Sequence, residues 1–318
     1  MLECGRREFL RVFGGGALSA MLPAGKKLQG IFPIAQTPFT SDNKLDVDSL
    51  VAELRFVDRG GVRGFVWPQL ASEWASLTEQ ERLEGAEAIL AEAKKLRPAV
   101  VIGVQAPQVS TALNYARHAA KNGADALIAL PPSDKAGAQE MLNYYHEIGS
   151  ATDLPLFVQA VGDMSVQLII QLWKEVPTIR YVKDEAGRPL DRIAPLREKS
   201  RDELKVFSGS HGRTLIEEMR RGISGSMPAA SFADLYASTW DLWQQGKHRE
   251  AMEMHGRTLL LLTEMTNYGF EAMKYILCLR GVFKTYEVRS GRGQSPLNDQ
   301  AKESLRETLD AVRGYLRA

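Results

Sequence analysis

Eight short apolar runs recur along the chain at intervals of about thirty residues, and each is followed by a segment with helical periodicity. Most of the runs are continuously apolar rather than alternating, which is typical of parallel strands covered on both faces. Eight strand–helix units predict a (β/α)8 barrel, because a doubly wound open sheet has fewer repeats and a point where the strand order reverses. The predicted strands are 30–35, 62–67, 99–104, 124–130, 154–160, 179–183, 204–208 and 223–227.

Side chains suited to helix N-caps precede the helical segments. They are Asp46, Thr78, Ser110 and Ser165. Thr78 is followed three residues later by Glu81, which gives the pattern of a capping box. These signals support the assignment of helices between the strands.

No strand pattern follows Ser231, and the rest of the chain reads as helical. We therefore predict a catalytic barrel over residues 26–230 and a helical extension over residues 231–318 that packs on it. The glycine-rich segment 289–293 is predicted to be a loop between the last two helices. The predicted helices of the extension are 240–267, 269–286 and 296–316.

Composition excludes several classes of function. The 318 residues carry a formal net charge of +1, so the chain has no basic surplus for a nucleic-acid backbone, and a small-molecule partner is expected instead. The two cysteines, Cys4 and Cys278, form neither a disulfide framework nor a thiolate metal site. The histidines lack metal-ligand spacing with acidic residues. We expect no metal and no cofactor.

The first twenty-five residues have the pattern of an export signal. Arg6 and Arg7 precede a Phe-Leu pair and a further arginine, and an uncharged, glycine-rich stretch follows. This order is similar to a twin-arginine signal, which predicts a periplasmic protein exported by the twin-arginine translocase. A cytoplasmic location is the alternative, and whether the segment is removed stays open because no clear cleavage site precedes Lys26.

Lys183 is the first candidate for a catalytic residue. It ends the sixth apolar run, within residues 178–187, just before a glycine-containing turn. An amine at the mouth of a buried strand is costly to keep charged, which favours the neutral nucleophile that attacks a carbonyl carbon. This is the requirement for a Schiff-base enzyme. The alternative is a solvated Lys-Asp-Glu cluster in an ordinary loop.

A barrel with a lysine at the end of strand six and three helices after it resembles the dihydrodipicolinate synthase and N-acetylneuraminate lyase family of class I aldolases. The resemblance covers almost everything after Gly30, and the order and spacing of its motifs make it specific. The matching segments are Thr37-Pro38-Phe39, Val182-Lys183-Asp184, Ser208-Gly209-Ser210, the glycine segment 222–226 and Lys274. By this resemblance Lys183 forms the imine.

Several positions depart from the family pattern. Where the family has a Gly-Thr-Thr-Gly-Glu turn that holds the carboxylate of a 2-keto acid, this chain has residues 69–73, of which Glu73 is retained. The resemblance implies that Ala71 and Ser72 bind this carboxylate through backbone N–H groups and the Ser72 hydroxyl. The remaining substrate contacts that the resemblance implies are Ser133, in place of a proton-shuttling tyrosine, Gln159, in place of a Tyr-Asn sequence, and Ser208, Gly209, Ser210 and Ser226.

Loss of the tyrosine leaves the acid–base role unassigned. Asp134, Asp184 and His211 are the nearest candidates by loop position. Each has a structural alternative: Asp134 can cap the next helix, Asp184 can pair with an arginine, and His211 can cap the seventh helix.

The sequence thus predicts an exported lyase or aldolase that forms a Schiff base with a 2-keto acid or a related carbonyl compound. Two alternatives stay open. One is a dehydratase of a keto-deoxy sugar acid that uses the same imine, and the other is a ligand-binding barrel that has lost turnover. The resemblance and the apolar C-terminal helices also predict a homo-oligomer, either a tetramer or a dimer.

Overall fold

The structure is a computed structural model that describes residues 26–290 and 295–318. The predicted export signal, residues 1–25, lies outside the described residues, as does most of the glycine-rich loop predicted over residues 289–293. The predicted barrel and helical extension are otherwise described throughout.

Eight parallel strands form one sheet in the order β1-β8-β7-β6-β5-β4-β3-β2. Strands β2 to β8 each pair with their neighbours in sequence, and β1 pairs with β8. The predicted (β/α)8 barrel is therefore confirmed. The strands are β1 (Gly30–Ile31), β2 (Gly64–Trp67), β3 (Ala99–Gly103), β4 (Ala126–Ala129), β5 (Leu156–Ala160), β6 (Ile179–Asp184), β7 (Lys205–Ser208) and β8 (Gly225–Ser226).

The barrel closes through backbone hydrogen bonds between β2 and the segment that begins with β1. Arg63 N donates to Ile31 O at 3.0 Å, and Ala35 N donates to Val66 O at 2.9 Å. A parallel bridge pairs Ile34 with Val66. The first strand is short because Pro33 has no N–H with which to continue the ladder. Closure nevertheless leaves no open edge on the sheet.

Helices follow the strands on the outside of the barrel. Asp46 caps the first by accepting from Ser49 N at 3.1 Å, Thr78 and Glu81 form the predicted capping box, and Ser165 caps the fifth. The prediction for Ser110 is wrong, because the third helix begins one residue earlier and Ser110 lies inside it. None of the helices in the described ranges is long and apolar enough to cross a membrane. The seven helices between strands are α1 (Val47–Arg59), α2 (Glu79–Ala93), α3 (Val109–Asn122), α4 (Ala138–Ser150), α5 (Val166–Glu175), α6 (Pro189–Ser200) and α7 (Leu215–Arg220).

Three more helices follow β8, but their bounds differ from the predicted ones. They are α8 (Ala233–Gln244), α9 (His248–Leu279) and α10 (Asp299–Val312). The pattern predicted to begin at Trp240 is interrupted by Gly246, whose φ of 76° ends α8. The predicted break near residue 268 is a kink inside α9, where Gly269 adopts φ 64° and ψ −145°. Helix α8 packs on β1, and α9 packs on both α8 and α10.

The core has two layers. Side chains that point outward from the strands pack against the helices, and those that point inward fill the barrel. The inner layer contains an aromatic cluster in which Phe157 stacks on Tyr181 with ring centroids 4.3 Å apart, while Phe207 meets both rings edge-on. The barrel is therefore packed below its C-terminal mouth, and any ligand must bind above this cluster.

The barrel is so tightly packed at the end of β3 that Gly103 has no room for a side chain. A Cβ added to Gly103 would lie 1.9 Å from the carbonyl oxygen of Pro68, and a backbone atom cannot move aside as a side chain can. We therefore expect Gly103→Ala to lower the free energy of unfolding by about 1–3 kcal/mol or more. Denaturant unfolding followed by circular dichroism measures the change.

Gly256→Ala is the control for this substitution. Gly256 lies on an exposed face of α9, and an added Cβ there meets no atom within 4 Å. Because alanine favours a helix over glycine by about 1 kcal/mol, this variant should be neutral or slightly stabilised. Equal stability losses in the two variants would contradict the packing described at Gly103.

Candidate functional site

Lys183 lies near the C-terminal end of β6 and points into the barrel. Two positions earlier on the same strand, Tyr181 belongs to the aromatic cluster of the interior, and side chains alternate along a strand. Lys183 is only 4 % exposed. Its ammonium group therefore sits above an apolar floor that keeps water away from below, at the end of the barrel where ligands bind in this fold.

The partner of Lys183 is Glu185. The Lys183 Nζ atom lies 2.7 Å from Glu185 Oε2, and the same oxygen accepts a hydrogen bond from Gln159 Nε2 at 2.6 Å. The other carboxylate oxygen accepts from Ser210 N at 2.8 Å. Burial alone would raise the pKa of Glu185, but the charge of Lys183 and these hydrogen bonds outweigh it and hold the pKa below its ordinary value. Glu185 is therefore ionised at neutral pH.

The turn after β7 is shaped around Glu185. A Cβ on Gly209 would lie 2.0 Å from Glu185 Oε1, so only glycine leaves space for the carboxylate in this position. Ser210 and His211 follow with φ values of 49° and 54°, a region that non-glycine residues seldom adopt. This strained turn aims the Ser210 N–H at Glu185.

A cavity of about 160 Å³ opens beside Lys183 and Glu185. Burial, followed by the nearby Lys183 charge, lowers the pKa of His211, so its imidazole is neutral at pH 7. The cavity is lined by Ile34, Gln69, Leu70, Ala71, Lys183, Glu185, His211, Met227, Pro228, Ala229 and Phe270. Phe270 reaches it because α9 kinks at the residue before.

The turn after β2 was predicted to bind a substrate carboxylate through Ala71 and Ser72, but the hydrogen-bonding groups of Ser72 have partners within the protein. The Ser72 hydroxyl donates to Ala35 O at 2.5 Å and accepts from Gln69 N at 3.0 Å, while the Ser72 N–H donates to Gln69 O at 2.9 Å. Both donors of Ser72 are therefore engaged within the protein. Ala71 lines the cavity. This geometry argues against Ser72 as a ligand for a substrate carboxylate.

Ser133 and Asp134 do not line the Lys183 cavity. They line a second cavity of about 540 Å³, formed with segments that follow β4 and β5. The loop after β4 carries them away from the lysine, so the assignment of Ser133 to the tyrosine's place gains no support from the cavity geometry. Asp134 likewise lies in the second cavity and not in the one that Lys183 lines.

Three other predicted residues, Asp184, Ser208 and Ser226, face the helix layer. Asp184 alternates with Lys183 and forms an ion pair with Arg192 at 2.8 Å. Ser208 and Ser226 follow the inward-facing Phe207 and Gly225, and the Ser208 hydroxyl donates to the Ser226 hydroxyl at 3.0 Å. Direct substrate contact through these side chains is therefore not supported. Gln159, by contrast, pairs in register with Lys183 and reaches Glu185.

Glu185 contacts Lys183 and lines the cavity, but it was not among the residues predicted from the sequence. The signal was available, because a residue two positions after an inward-facing lysine faces the same way if the extended backbone continues. Asp184 is adjacent to Lys183 in the chain, but the alternation of side chains along β6 turns it outward. What no pattern could supply is the space at Gly209 that accepts the carboxylate.

A second buried ion pair supports the cavity wall. Lys274 of α9 contacts Glu73 at 2.5 Å, and both side chains are fully buried. Glu73 also accepts from the backbone N–H groups of Arg289 and Ser290 at 2.7 and 2.6 Å, and Lys274 donates to Glu287 O at 2.6 Å. The pair thus joins the turn after β2 to α9 and to the segment after it.

Within the described ranges, no group of three or more histidine, cysteine, aspartate or glutamate side chains is arranged to hold a metal ion. The reactive groups at this site are the Lys183 amine and the Glu185 carboxylate beside it. Such a pair can exchange a proton and can attack a carbonyl carbon once the amine is neutral.

Comparison with known proteins places these features in one family. The model of the dihydrodipicolinate synthetase family matches residues 27–312. The 4-hydroxy-tetrahydrodipicolinate synthase of Methanosarcina mazei is 29 % identical over 235 residues, which cover 71 % of this chain and 79 % of that protein. The crystal structure of dihydrodipicolinate synthase from Rhodopseudomonas palustris superposes with a TM-score of 0.81 at 25 % identity, covering 89 % of this chain and 97 % of that one.

The fold is also similar to that of an N-acetylneuraminate lyase. The crystal structure of N-acetylneuraminate lyase from Mycoplasma synoviae gives a TM-score of 0.78 at 19 % identity. It covers 89 % of this chain and 97 % of that chain. At this identity the match concerns the fold, and it supports the barrel with its helical extension.

Removing the buried cation should unfold the chain more readily. Lys274→Met would leave the fully buried Glu73 side chain without its ion-pair partner, which costs about 3–5 kcal/mol of unfolding free energy. Lys284→Met is the control, because Lys284 pairs with Asp46 but is largely exposed, and its loss should cost about 1 kcal/mol or less. Chemical denaturation measures both, and equal losses would contradict the importance given to the buried pair.

Proposed function

This chain belongs to the dihydrodipicolinate synthetase family, and we propose that it is a lyase or aldolase that forms a Schiff base through Lys183 and makes or breaks a carbon–carbon bond. Members of the family are class I lyases and aldolases, which supports the reaction class. The observation that carries the proposal is the position of the Lys183 amine, which lines a cavity at the mouth of the barrel 2.7 Å from a carboxylate. The substrate is a 2-keto acid or a related carbonyl compound.

Glu185 is the acid–base group of this proposal. An ammonium ion cannot attack a carbonyl, so the Lys183 amine, which contacts Glu185, must be neutral when it reacts. Glu185 takes one proton from it across 2.7 Å, and the neutral amine then adds to the carbonyl carbon. Glu185 returns the proton to the hydroxyl of the resulting carbinolamine, which leaves as water and produces the protonated imine.

The protonated imine then accepts electrons from the bond to be cleaved. For an aldol substrate, Glu185 removes the proton of the β-hydroxyl group, the carbon–carbon bond breaks, and the bonding pair forms an enamine on Lys183. The aldehyde fragment departs, a proton returns to the enamine carbon, and water hydrolyses the imine to regenerate the lysine. The condensation direction is the same sequence in reverse.

His211 and Gln159 have supporting roles in the proposal. The neutral imidazole of His211 lines the cavity and can donate or accept one hydrogen bond without adding charge. Gln159 donates to Glu185 and so fixes which oxygen faces Lys183. Neither needs to change its protonation state during the reaction.

Imine formation tests the role of Lys183. Incubation of the protein with a panel of carbonyl compounds and sodium borohydride should give a covalent adduct, read by intact mass and located at Lys183 by peptide mapping. Lys183→Arg should give no adduct and no turnover, because arginine keeps the charge but cannot form the imine. Lys199→Arg, at an exposed position of α6, is the matched control and should behave as the native protein.

The absence of any adduct across aldehydes, ketones and 2-keto acids would reject the enzyme proposal and support a binding barrel without turnover. Full activity in Lys183→Arg would reject the imine mechanism even if an adduct formed on another lysine.

The pH dependence of imine formation tests the role of Glu185. Its carboxylate form is the base, and its pKa is held below the ordinary glutamate range, so the rate should fall only as the pH drops through that lowered pKa. Glu185→Gln should slow adduct formation by about a hundredfold or more and should lose this acid limb. Stopped-time cyanoborohydride trapping from acid to neutral pH gives the profile, and an unchanged acid limb in the variant would assign the base to another group.

A further inference from the structure

The turn after β7 contains three consecutive residues in left-handed backbone. Ser210, His211 and Gly212 have φ values of 49°, 54° and 63°. Residues other than glycine adopt this region at a cost in free energy, so the conformation persists only where the surroundings hold it. Two of these residues serve the Lys183 cavity, since the Ser210 N–H donates to Glu185 at 2.8 Å and His211 lines the cavity. Whatever holds the turn therefore also positions groups around Lys183.

Two backbone hydrogen bonds close the turn on itself without engaging its central residue. Gly212 N donates to Gly209 O at 2.8 Å, and Arg213 N donates to Ser210 O at 3.2 Å. Ser210 and Arg213 are exposed to solvent, so packing does little to fix them. Neither bond involves His211, which depends on groups from elsewhere in the protein.

Tyr236 of α8 makes the contact with this central residue. Its hydroxyl donates to the carbonyl oxygen of His211. Its ring lies against Gly212, where an added Cβ would be 2.9 Å from Tyr236 Cε1. The Tyr236 side chain is fully buried and stacks on Phe232 with ring centroids 5.7 Å apart. A ring packed in this way can move little, so its hydroxyl fixes the peptide group that follows His211.

A second side chain of the helical extension holds a carbonyl group two residues later. His255 Nε2 of α9 donates to Arg213 O at 3.2 Å, because a carbonyl oxygen can only accept. His255 is buried, and its ring centroid lies 6.5 Å from that of Tyr236. The extension thus contacts the turn through two neighbouring polar side chains, and of these two Tyr236 is the one that bonds to a residue in left-handed backbone.

We propose that Tyr236 is a positioning residue for the ion pair of Lys183 and Glu185. By holding the carbonyl group of His211, its hydroxyl keeps the Ser210 N–H directed at the Glu185 carboxylate and keeps the His211 ring in the cavity wall. This inference rests on the proposed function, because it gives Tyr236 a part in the proton transfer between Lys183 and Glu185. Tyr236 does not itself line the cavity and acts through the turn.

The protonation of Glu185 is sensitive to this arrangement. Burial acts to raise the pKa of Glu185, but the Lys183 charge and hydrogen bonds that include the one from Ser210 N hold it below the ordinary value. If the turn relaxed and withdrew this N–H, the pKa would move up and the carboxylate would be lost at a higher pH. Removing the Tyr236 hydroxyl changes no charge. The further ionisable groups that interact with Glu185 are Asp184, which pairs with Arg192, Glu218 of α7 and His211.

Tyr236→Phe tests the proposal, and Tyr145→Phe is its matched control. Both rings are fully buried, and each hydroxyl donates to a backbone carbonyl oxygen. The acceptor is His211 O for Tyr236, whereas for Tyr145 of α4 it is Ala129 O of β4 at 2.9 Å. The two variants therefore lose the same kind of hydrogen bond, and only one of them loses it at the turn.

Hydrogen exchange read by mass spectrometry measures the turn without any substrate. In the peptide that spans residues 209–213, exchange should be about threefold to tenfold faster in Tyr236→Phe than in the native protein, which corresponds to the loss of one hydrogen bond. Tyr145→Phe should match the native protein in this peptide.

The pH profile of cyanoborohydride trapping measures the effect on the site. The probe is pyruvate or hydroxyacetone, whichever labels Lys183 of the native protein faster. In Tyr236→Phe the acid limb should move to higher pH, and at the acid end labelling should be about threefold to tenfold slower than in the native protein. Near neutral pH, where Glu185 is ionised in both proteins, the difference should shrink. Tyr145→Phe should keep the native limb.

Gly212→Ala disturbs the same contact from the side of the turn. Its Cβ would meet the Tyr236 ring at a positive φ, so this variant should also show faster exchange and an acid limb at higher pH. It takes the place of Tyr236→Phe if that variant does not fold.

The outcomes separate this inference from the proposed function. If Tyr236→Phe lacks either change while Lys183 of the native protein is labelled, the positioning role is overturned and the proposed function stands. Equal changes in Tyr145→Phe would also overturn it, because they would reflect a loss of stability alone. If neither probe labels the native protein, the proposed function falls, and the role of Tyr236 in it falls as well, whatever the exchange shows.

Discussion

The buried ion pair between Glu73 and Lys274 connects the parts of the structure on which the cavity depends. Glu73 ends the turn that contributes Gln69, Leu70 and Ala71, and Lys274 lies in α9 four residues after Phe270. Burial lowers the pKa of Lys274, and the charge of Glu73 opposes that effect. A pair so deeply buried is tolerated because backbone N–H groups and a carbonyl oxygen satisfy its remaining hydrogen-bonding groups. Two walls of the cavity are thereby fixed relative to each other.

The same pair adjoins a buried carboxyl group whose pKa shifts in the opposite direction to that of Glu185. Glu53 of α1 is fully buried, and burial raises its pKa well above the ordinary value, although the N–H of Gln36 and the charge of Lys274 act in the opposite direction. Glu53 therefore tends toward the neutral acid while Glu185, near Lys183, stays ionised. Both carboxyl groups lie in the protein interior, so burial alone does not distinguish them. The number of hydrogen-bond donors around each group and its distance to a cation decide whether its pKa is raised or lowered.

The fold could be predicted because its signals are local. Continuously apolar runs mark strands covered on both faces, and Asp46, Thr78 and Ser165 cap helices as their side chains suggest. The bounds of α8 and α9 could not be predicted, because Gly246 and Gly269 adopt positive φ angles that the helical pattern does not reveal. Lys183 could be singled out from its position at the end of a strand. The hydrogen bonds of Ser72 and the packing of Glu185 against Gly209 could not, because they are tertiary contacts that leave no periodic pattern in the sequence.

An ion pair at a catalytic lysine has two opposite consequences, and the surroundings decide which prevails. It stabilises the ammonium form, which is inert, yet it also places a base where the proton must go. In a wet site water would screen the pair and carry the proton. Here Tyr181, Phe157 and Phe207 form a dry floor, and Lys183 is 4 % exposed, so Glu185 is the base at hand. In the proposed reaction the proton passes from Lys183 to Glu185 when a carbonyl group enters, because the transfer converts two buried charges into none.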